Sequence, residues 1–241
     1  MTVAIGLLFP DLLGTYGDSG NAVILAQRLR WRGFAAETLT VRAGDPVPGC
    51  CDIYVVGGGE DLPQTLAARQ LASSPVRRAV DSGAVVLAVC AGLQIVGRSF
   101  AGADGKPVEG LGLLDCTTVP GRGRRAVGEI VVEPAPELGL PLLSGYENHS
   151  GSTTLGPGAV PLGRVVAGHG NDDGSRTDGA RCGRVVGTYL HGPVLARNPA
   201  FADLLLSWVV GELAPLDDSD CDELRRERLA EAVGRRGRSR R

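Results

Sequence analysis

Aromatic residues make up only 4% of the 241 residues, which argues against a stacking platform for single-stranded nucleic acid. Lysine occurs once, as Lys106, far from any glycine-rich strand-to-helix turn, so no Walker-type phosphate loop can be assembled. Three histidines (His149, His169, His191) are too few for a metal centre to be expected. The six cysteines (Cys50, Cys51, Cys90, Cys116, Cys182, Cys221) include no C-x-x-C pair, a spacing that suits neither zinc nor a redox motif, and most are expected to be plain buried thiols. No apolar run reaches the eighteen or so residues of a membrane span, and the N-terminus lacks the basic start and cleavage site of a signal peptide. The expected location is therefore the cytosol. With a net charge of −2, no global field draws the chain to nucleic acid or to an anionic membrane.

What remains is an ordinary globular composition, 43% hydrophobic and 22% charged, in a chain long enough to bury about three-quarters of its unfolded surface. Glycine, with 36 residues, stands at about twice its average usage. Without a Gly-X-Y period it points to tight turns and close backbone approaches. No internal repeat or strong linker divides the chain. One domain over residues 1–215 is expected, followed by a C-terminal helix and the basic tail GRRGRSRR within residues 216–241.

Residues Val3 to Phe9 read as a strand, LLGTYGDSGN as a loop and NAVILAQRLRWRG as a helix, with Asp18, Ser19 and Asn21 as cap candidates and Gly33 as the stop. Strands follow at Ala35 to Val41, Asp52 to Val56 and residues 84–89, with helices from about Asp61 and about Pro75 between them. This alternation predicts right-handed crossovers and a mainly parallel sheet flanked by helices, an α/β Rossmann-like fold. Past Gly110 the segments LGLLDCTTV, AVGEIVVE, SGYENHSGSTTL, GRVVAGHG and GRVVGTYLHG are shorter, and they predict an antiparallel extension of that sheet. Helices are expected at about Pro199 to Gly211 and Asp217 to Val233.

The segment AVVLAVCAGLQIVG carries the chemistry. An apolar strand meets Cys90 and passes at once through Ala91 and Gly92 into a helix, the layout of a nucleophile elbow. The helix N-terminus behind it favours a thiolate and offers the Ala91 N–H to an oxyanion. Gly58 or Gly59, after the strand DIYVV, is placed to supply a second donor. His191, directly after an apolar strand and before Gly192-Pro193, is the expected base. His149 lies in a polar turn that could equally shape a binding loop, and His169 in a glycine-rich stretch is expected to be structural or solvent-facing.

The elbow LAVCAGLQ, the upstream VVGGGED and the downstream TYLHGP resemble class I, triad-type glutamine amidotransferases of the branch related to cobyric acid synthase. Closer still, FPDLLGTYGDSGN, EGLGLLD, GYENHSG and GTYLHGPVLARNP are similar to the glutaminase subunits that serve lipid II amidation. The resemblance runs from about Ala4 to Pro199. It implies Cys90 as nucleophile toward L-glutamine and His191 as its base and later acid. It also implies Gln94 as pocket lining and Arg125, just before a Gly-acidic-Ile strand, as a fork for the glutamine α-carboxylate.

The resemblance further implies a heterodimer with a Mur-ligase-like (MurT-type) synthetase subunit. That partner would bind ATP and Mg²⁺ and amidate the D-glutamate α-carboxyl of the lipid II stem peptide. This chain itself would need no cofactor and no metal. A corrinoid amidotransferase is the rival reading, but its relatives carry the synthetase on the same chain. A catalytically silent regulatory module is another, against which the retention of Cys90 and His191 counts.

Two departures from the family pattern stand out. Ala88 replaces a common glycine two residues before the nucleophile, and the common His-x-Glu is absent, since Pro193 stands two residues after His191. The nearest acids in sequence, Asp203 and Glu212, fall beyond the loop. The expectation from sequence is therefore that the partner supplies the carboxylate that orients His191.

Overall fold

The computed structural model describes residues 2–238, and the side chains of the basic tail, residues 234–241, lie outside the described part. The first half of the chain alternates as expected: β1 (Thr2–Leu8), α1 (Gly20–Trp31), β2 (Ala35–Val41), β3 (Ile53–Val56), α2 (Asp61–Ala72), α3 (Val76–Asp81), β4 (Val85–Val89) and α4 (Ala91–Val96). Short strands follow: β5 (Ser99–Ala101), β6 (Pro107–Glu109), β7 (Cys116–Pro120), β8 (Ala126–Pro134), β9 (Leu143–His149), β10 (Gly151–Leu155), β11 (Gly163–Ala167), β12 (Thr177–Asp178), β13 (Ala180–Cys182) and β14 (Val185–Thr188). The chain then continues through α5 (Val194–Arg197), α6 (Pro199–Val210) and α7 (Ser219–Arg238).

The main sheet has six strands in the order β13-β14-β4-β3-β1-β2, parallel except for the β13–β14 pair. Its central strands are continuous apolar runs because both faces are covered: every residue of β3, β4 and β14 is buried. The edge strand β2, AAETLTV, is mostly exposed and correspondingly polar. Helices α1, α5 and α6 pack on one another, and α2 packs against α4.

Past β4 the structure differs from the expectation in one respect. The antiparallel extension of the main sheet is β13 alone; GRVVGTYLHG supplies β14, which joins the main sheet parallel to β4, and the other segments form two separate four-stranded sheets, β10-β7-β5-β6 and β12-β11-β8-β9. Alternation of polar and apolar residues fixes which face of a strand is buried, not which strand it pairs with. The nine-residue β8 takes β9 on one edge and β11 on the other. Helix α7 lies over this third sheet, where Ala232 and Leu229 meet Val131, Ala167 and Leu142.

The segment before α7 is tied down by a buried cation. Arg28 of α1 pairs with Asp203 of α6 and with Asp218, each at 2.7 Å, and its side chain is 3% exposed. Among the described residues no helix is long and apolar enough to cross a membrane.

Candidate active site

Four neighbouring parallel strands, β14, β4, β3 and β1, send their carboxyl ends to one edge of the sheet, where the ligands of open α/β sheets bind. The turns and loops that leave those ends carry His191, Cys90, Gly58 and Asp18. Adjacency in the sheet therefore gathers groups that are far apart in sequence.

Cys90 joins β4 to α4 with φ 52° and ψ −105°, a conformation that a residue bearing a Cβ adopts only under strain. The small neighbours make it possible. A Cβ on Gly92 would come within 2.4 Å of the Val56 carbonyl oxygen, so only glycine lets α4 start this close to the end of β3. The N–H of Cys90 still donates to the Thr188 carbonyl at 2.8 Å, which anchors the elbow to β14.

His191 is 1% exposed and is clamped to β9 by two main-chain hydrogen bonds with Tyr146, at 2.8 and 3.0 Å. Its Nδ1 lies 2.9 Å from Oδ2 of Asp18, a fully buried carboxylate 173 residues away. The same oxygen accepts the Gly58 N–H at 2.9 Å. Burial opposes the imidazolium, but the hydrogen bond to Asp18 and the neighbouring Cys90 outweigh it and push the His191 pKa from 6.5 up to about 10. The buried Nε2 has no hydrogen-bond partner in the resting structure and is the nitrogen left for Cys90.

Two expectations are corrected here. The acid that orients His191 is internal: it is Asp18, which the sequence offered only as a cap for α1, and neither Asp203 nor Glu212 nor a partner is needed for that role. Asp18 is free for it because α1 begins without a side-chain cap. Gly58 is not available as an oxyanion donor, because its N–H is spent on Asp18. It must nevertheless be glycine, since a Cβ there would stand 2.5 Å from His191 Cε1.

Cys90 opens on a cleft of about 150 Å³ lined by Gly59, Ala91, Gln94, Arg125 and His149 among others. Gln94 is on the wall with both ends of its amide engaged, accepting from Gln64 Nε2 at 2.8 Å and donating to the Tyr189 hydroxyl at 3.2 Å. Arg125 is exposed at the cleft with its Nε donating to Asn148 Oδ1. The other two histidines lie near a different acid, the buried Glu147. His169 Nδ1 is 3.0 Å from Glu147 and His149 Nε2 3.7 Å from it, while the His149 ring stacks on Tyr189 at 3.8 Å.

A strained cysteine, a buried imidazole and a buried carboxylate at the end of a parallel sheet are the groups from which a nucleophile, a proton carrier and its orienter can be built. Residues 4–199 match the family model of the CobB/CobQ-like glutamine amidotransferase domain. The chain belongs to this family. As a member it is a glutamine-hydrolysing enzyme of class I amidotransferase fold. This amidotransferase is 36% identical over 199 residues to the lipid II isoglutaminyl synthase (glutamine-hydrolyzing) subunit GatD of Staphylococcus aureus, covering 81% of this chain and 79% of that protein. The GatD subunit of Streptococcus pneumoniae is 34% identical over 208 residues, covering 84% and 78%. In fold the amidotransferase is similar to a solved glutamine amidotransferase, with a TM-score of 0.60 at 21% identity, covering 86% of this chain and 98% of that one.

Proposed function

We propose that this amidotransferase is the glutaminase subunit of a lipid II isoglutaminyl synthase, with Cys90, His191 and Asp18 as its triad. The observation that carries the mechanism is the buried Asp18–His191 pair at 2.9 Å next to Cys90, which itself lines the cleft. The Cys90 thiolate attacks the side-chain carbonyl carbon of L-glutamine. The N–H groups of Gly59 and Ala91 hold the resulting oxyanion. His191, charged at neutral pH, gives its Nε2 proton to the departing nitrogen as the C–N bond breaks, leaving a thioester and ammonia. Water, deprotonated by the now neutral His191, then hydrolyses the thioester to glutamate and restores the thiolate–imidazolium pair.

Arg125 takes the α-carboxylate of glutamine at the cleft mouth. Loss of one charge-assisted contact of this kind costs about 1.5–3 kcal/mol, so Arg125→Ala is expected to lower kcat/KM for glutamine roughly ten- to 150-fold, while Arg124→Ala changes it little. Steady-state kinetics of the two variants check the assignment; the opposite result moves it by one residue.

The ammonia passes to a Mur-ligase-like (MurT-type) subunit, which uses ATP and Mg²⁺ to activate the D-glutamate α-carboxyl of the lipid II stem peptide. The likeness to the two GatD subunits over about four-fifths of the chain supports this acceptor. The test is to combine the chain with such a subunit, lipid II, ATP and amide-¹⁵N glutamine. The expected product is lipid II carrying ¹⁵N as isoglutamine, with one glutamate released per amide formed. Glutamate release with no label on lipid II, or transfer to a corrinoid acid instead, rejects the proposal.

A further inference from the structure

Between the arginine at the cleft mouth and the buried imidazole runs a continuous chain of side chains. Arg125 Nε donates to Asn148 Oδ1. Asn148 Nδ2 in turn donates to the Tyr16 hydroxyl at 2.7 Å. The Tyr16 ring lies against the His191 ring, with centroids 4.5 Å apart and planes tilted by 49°. Tyr16, Asn148, Arg125 and Cys90 all line the same cleft, whereas His191 is 1% exposed and reaches it only past these neighbours.

Tyr16 sits two residues before Asp18, in the loop that follows β1. That loop therefore contributes both the carboxylate on one side of the imidazole and the aromatic ring packed against it. The remaining groups around His191 are Cys90 from the β4–α4 turn, Gly58 from the end of β3, and Tyr146, whose backbone holds its own. On the far side, Arg197 packs near Gly192 and is neutralised by Glu129 at 2.6 Å. The Tyr16 ring is the one element of this enclosure that is also tied to the substrate arginine.

We propose that Tyr16 is a positioning residue that shields the His191 imidazole from water and links it, through Asn148, to occupancy of Arg125. A ring against His191 keeps water from screening its contacts with Asp18 and Cys90. When Arg125 turns to a carboxylate in the cleft it competes with its own bond to Asn148, and the change reaches Tyr16 through one hydrogen bond. The link to glutamine rests on the function proposed above; the shielding of His191 does not.

The two parts separate in the variants Tyr16→Phe and Tyr16→Ala, made in the full chain. With only three histidines, the imidazole signals can be followed by NMR as pH is raised, His191 being assigned by its loss in His191→Gln. Tyr16→Ala is expected to move the His191 titration away from near 10, since water reaching the ring relieves its burial and weakens its pairing with Asp18. Tyr16→Phe keeps the ring, so its His191 titration stays that of the parent, and Tyr16→Ser, which also removes the ring, serves in place of the alanine variant if that one does not fold, with the same shift expected. In glutaminase assays Tyr16→Phe and Asn148→Ala are each expected to raise KM severalfold, whereas Tyr16→Ala also lowers kcat tenfold or more. Unchanged titration in Tyr16→Ala, or an equal shift in Tyr16→Phe, overturns the shielding. A parent KM in both Tyr16→Phe and Asn148→Ala overturns the link to the substrate. Absence of glutaminase activity in the unmodified complex would instead count against the proposed function, and the NMR result would still stand on its own.

Discussion

Cys90→Ala is expected to abolish glutamine hydrolysis, with a loss on the order of 10⁶-fold in kcat, the size found when a hydrolase loses the nucleophile of its triad. A glutamine-analogue diazo-ketone should attach to Cys90 and to no other thiol, read by peptide mass spectrometry. The other buried cysteines are poorly suited to attack: burial pushes the Cys116 thiol up to about 12, and burial together with its neighbour Cys50 pushes Cys51 up to about 11. Neither follows the last residue of a strand into a helix as Cys90 does. Modification at Cys116 or Cys182, or full activity in Cys90→Ala, removes Cys90 from its role.

Asp18→Asn is expected to cost about 10⁴-fold in kcat, the loss that follows when the acid of a Ser-His-Asp triad becomes an amide. The oxygen that accepts the Gly58 N–H is also the one that faces His191 Nδ1, so the amide oxygen can keep both bonds but no longer carries the charge that stabilises the imidazolium. The fold is left intact, so near-parent circular dichroism should accompany the loss. The pH dependence follows from the direction of the shift. The His191 pKa is raised in the folded chain, so the stabilising pair is fully present below the unfolded value of 6.5 and is lost as pH rises through about 10. In the parent the alkaline limb of kcat/KM should lie near that upper value, and in Asp18→Asn it should fall toward 6.5.

With an acid inside the chain, the orientation of His191 does not wait for a second subunit. Two residues past His191 stands Pro193, which cannot serve, and from the sequence alone that points to a carboxylate supplied by a partner. The structure answers from the other end of the chain. A local pattern such as His-x-Glu is visible to sequence reading; a contact made across adjacent strands is visible only once the strand order β14-β4-β3-β1 is known.

The elbow shows the opposite case. Its strand is a run of five buried residues, Val85–Val89, its turn is built from small ones, and its helix starts at Ala91. Each of these is a local steric demand, so Cys90 and the parallel sheet around it were legible from composition and spacing. The same holds for β1, β3 and β14, whose apolar runs reflect burial on both faces.

Register and partner choice were not legible. The short strands after Gly110 announced their alternation but not their division into two further sheets, because pairing is decided by which edges are left open after the main sheet has formed. Gly58 was recognised as special for a reason that the structure replaces: its missing Cβ makes room for His191, and its N–H serves Asp18. Asp18 and Tyr16, in a loop that by sequence only precedes a helix, took their roles from contacts 173 and 132 residues away. The sequence by itself determined the cysteine at the strand-to-helix turn, the histidine at a strand end and the layered sheet, because those depend on residue size and polarity within a few positions. Only the tertiary structure decided which carboxylate holds the imidazole and which ring covers it, because those depend on how the loops after β1, β3, β4 and β14 meet in space.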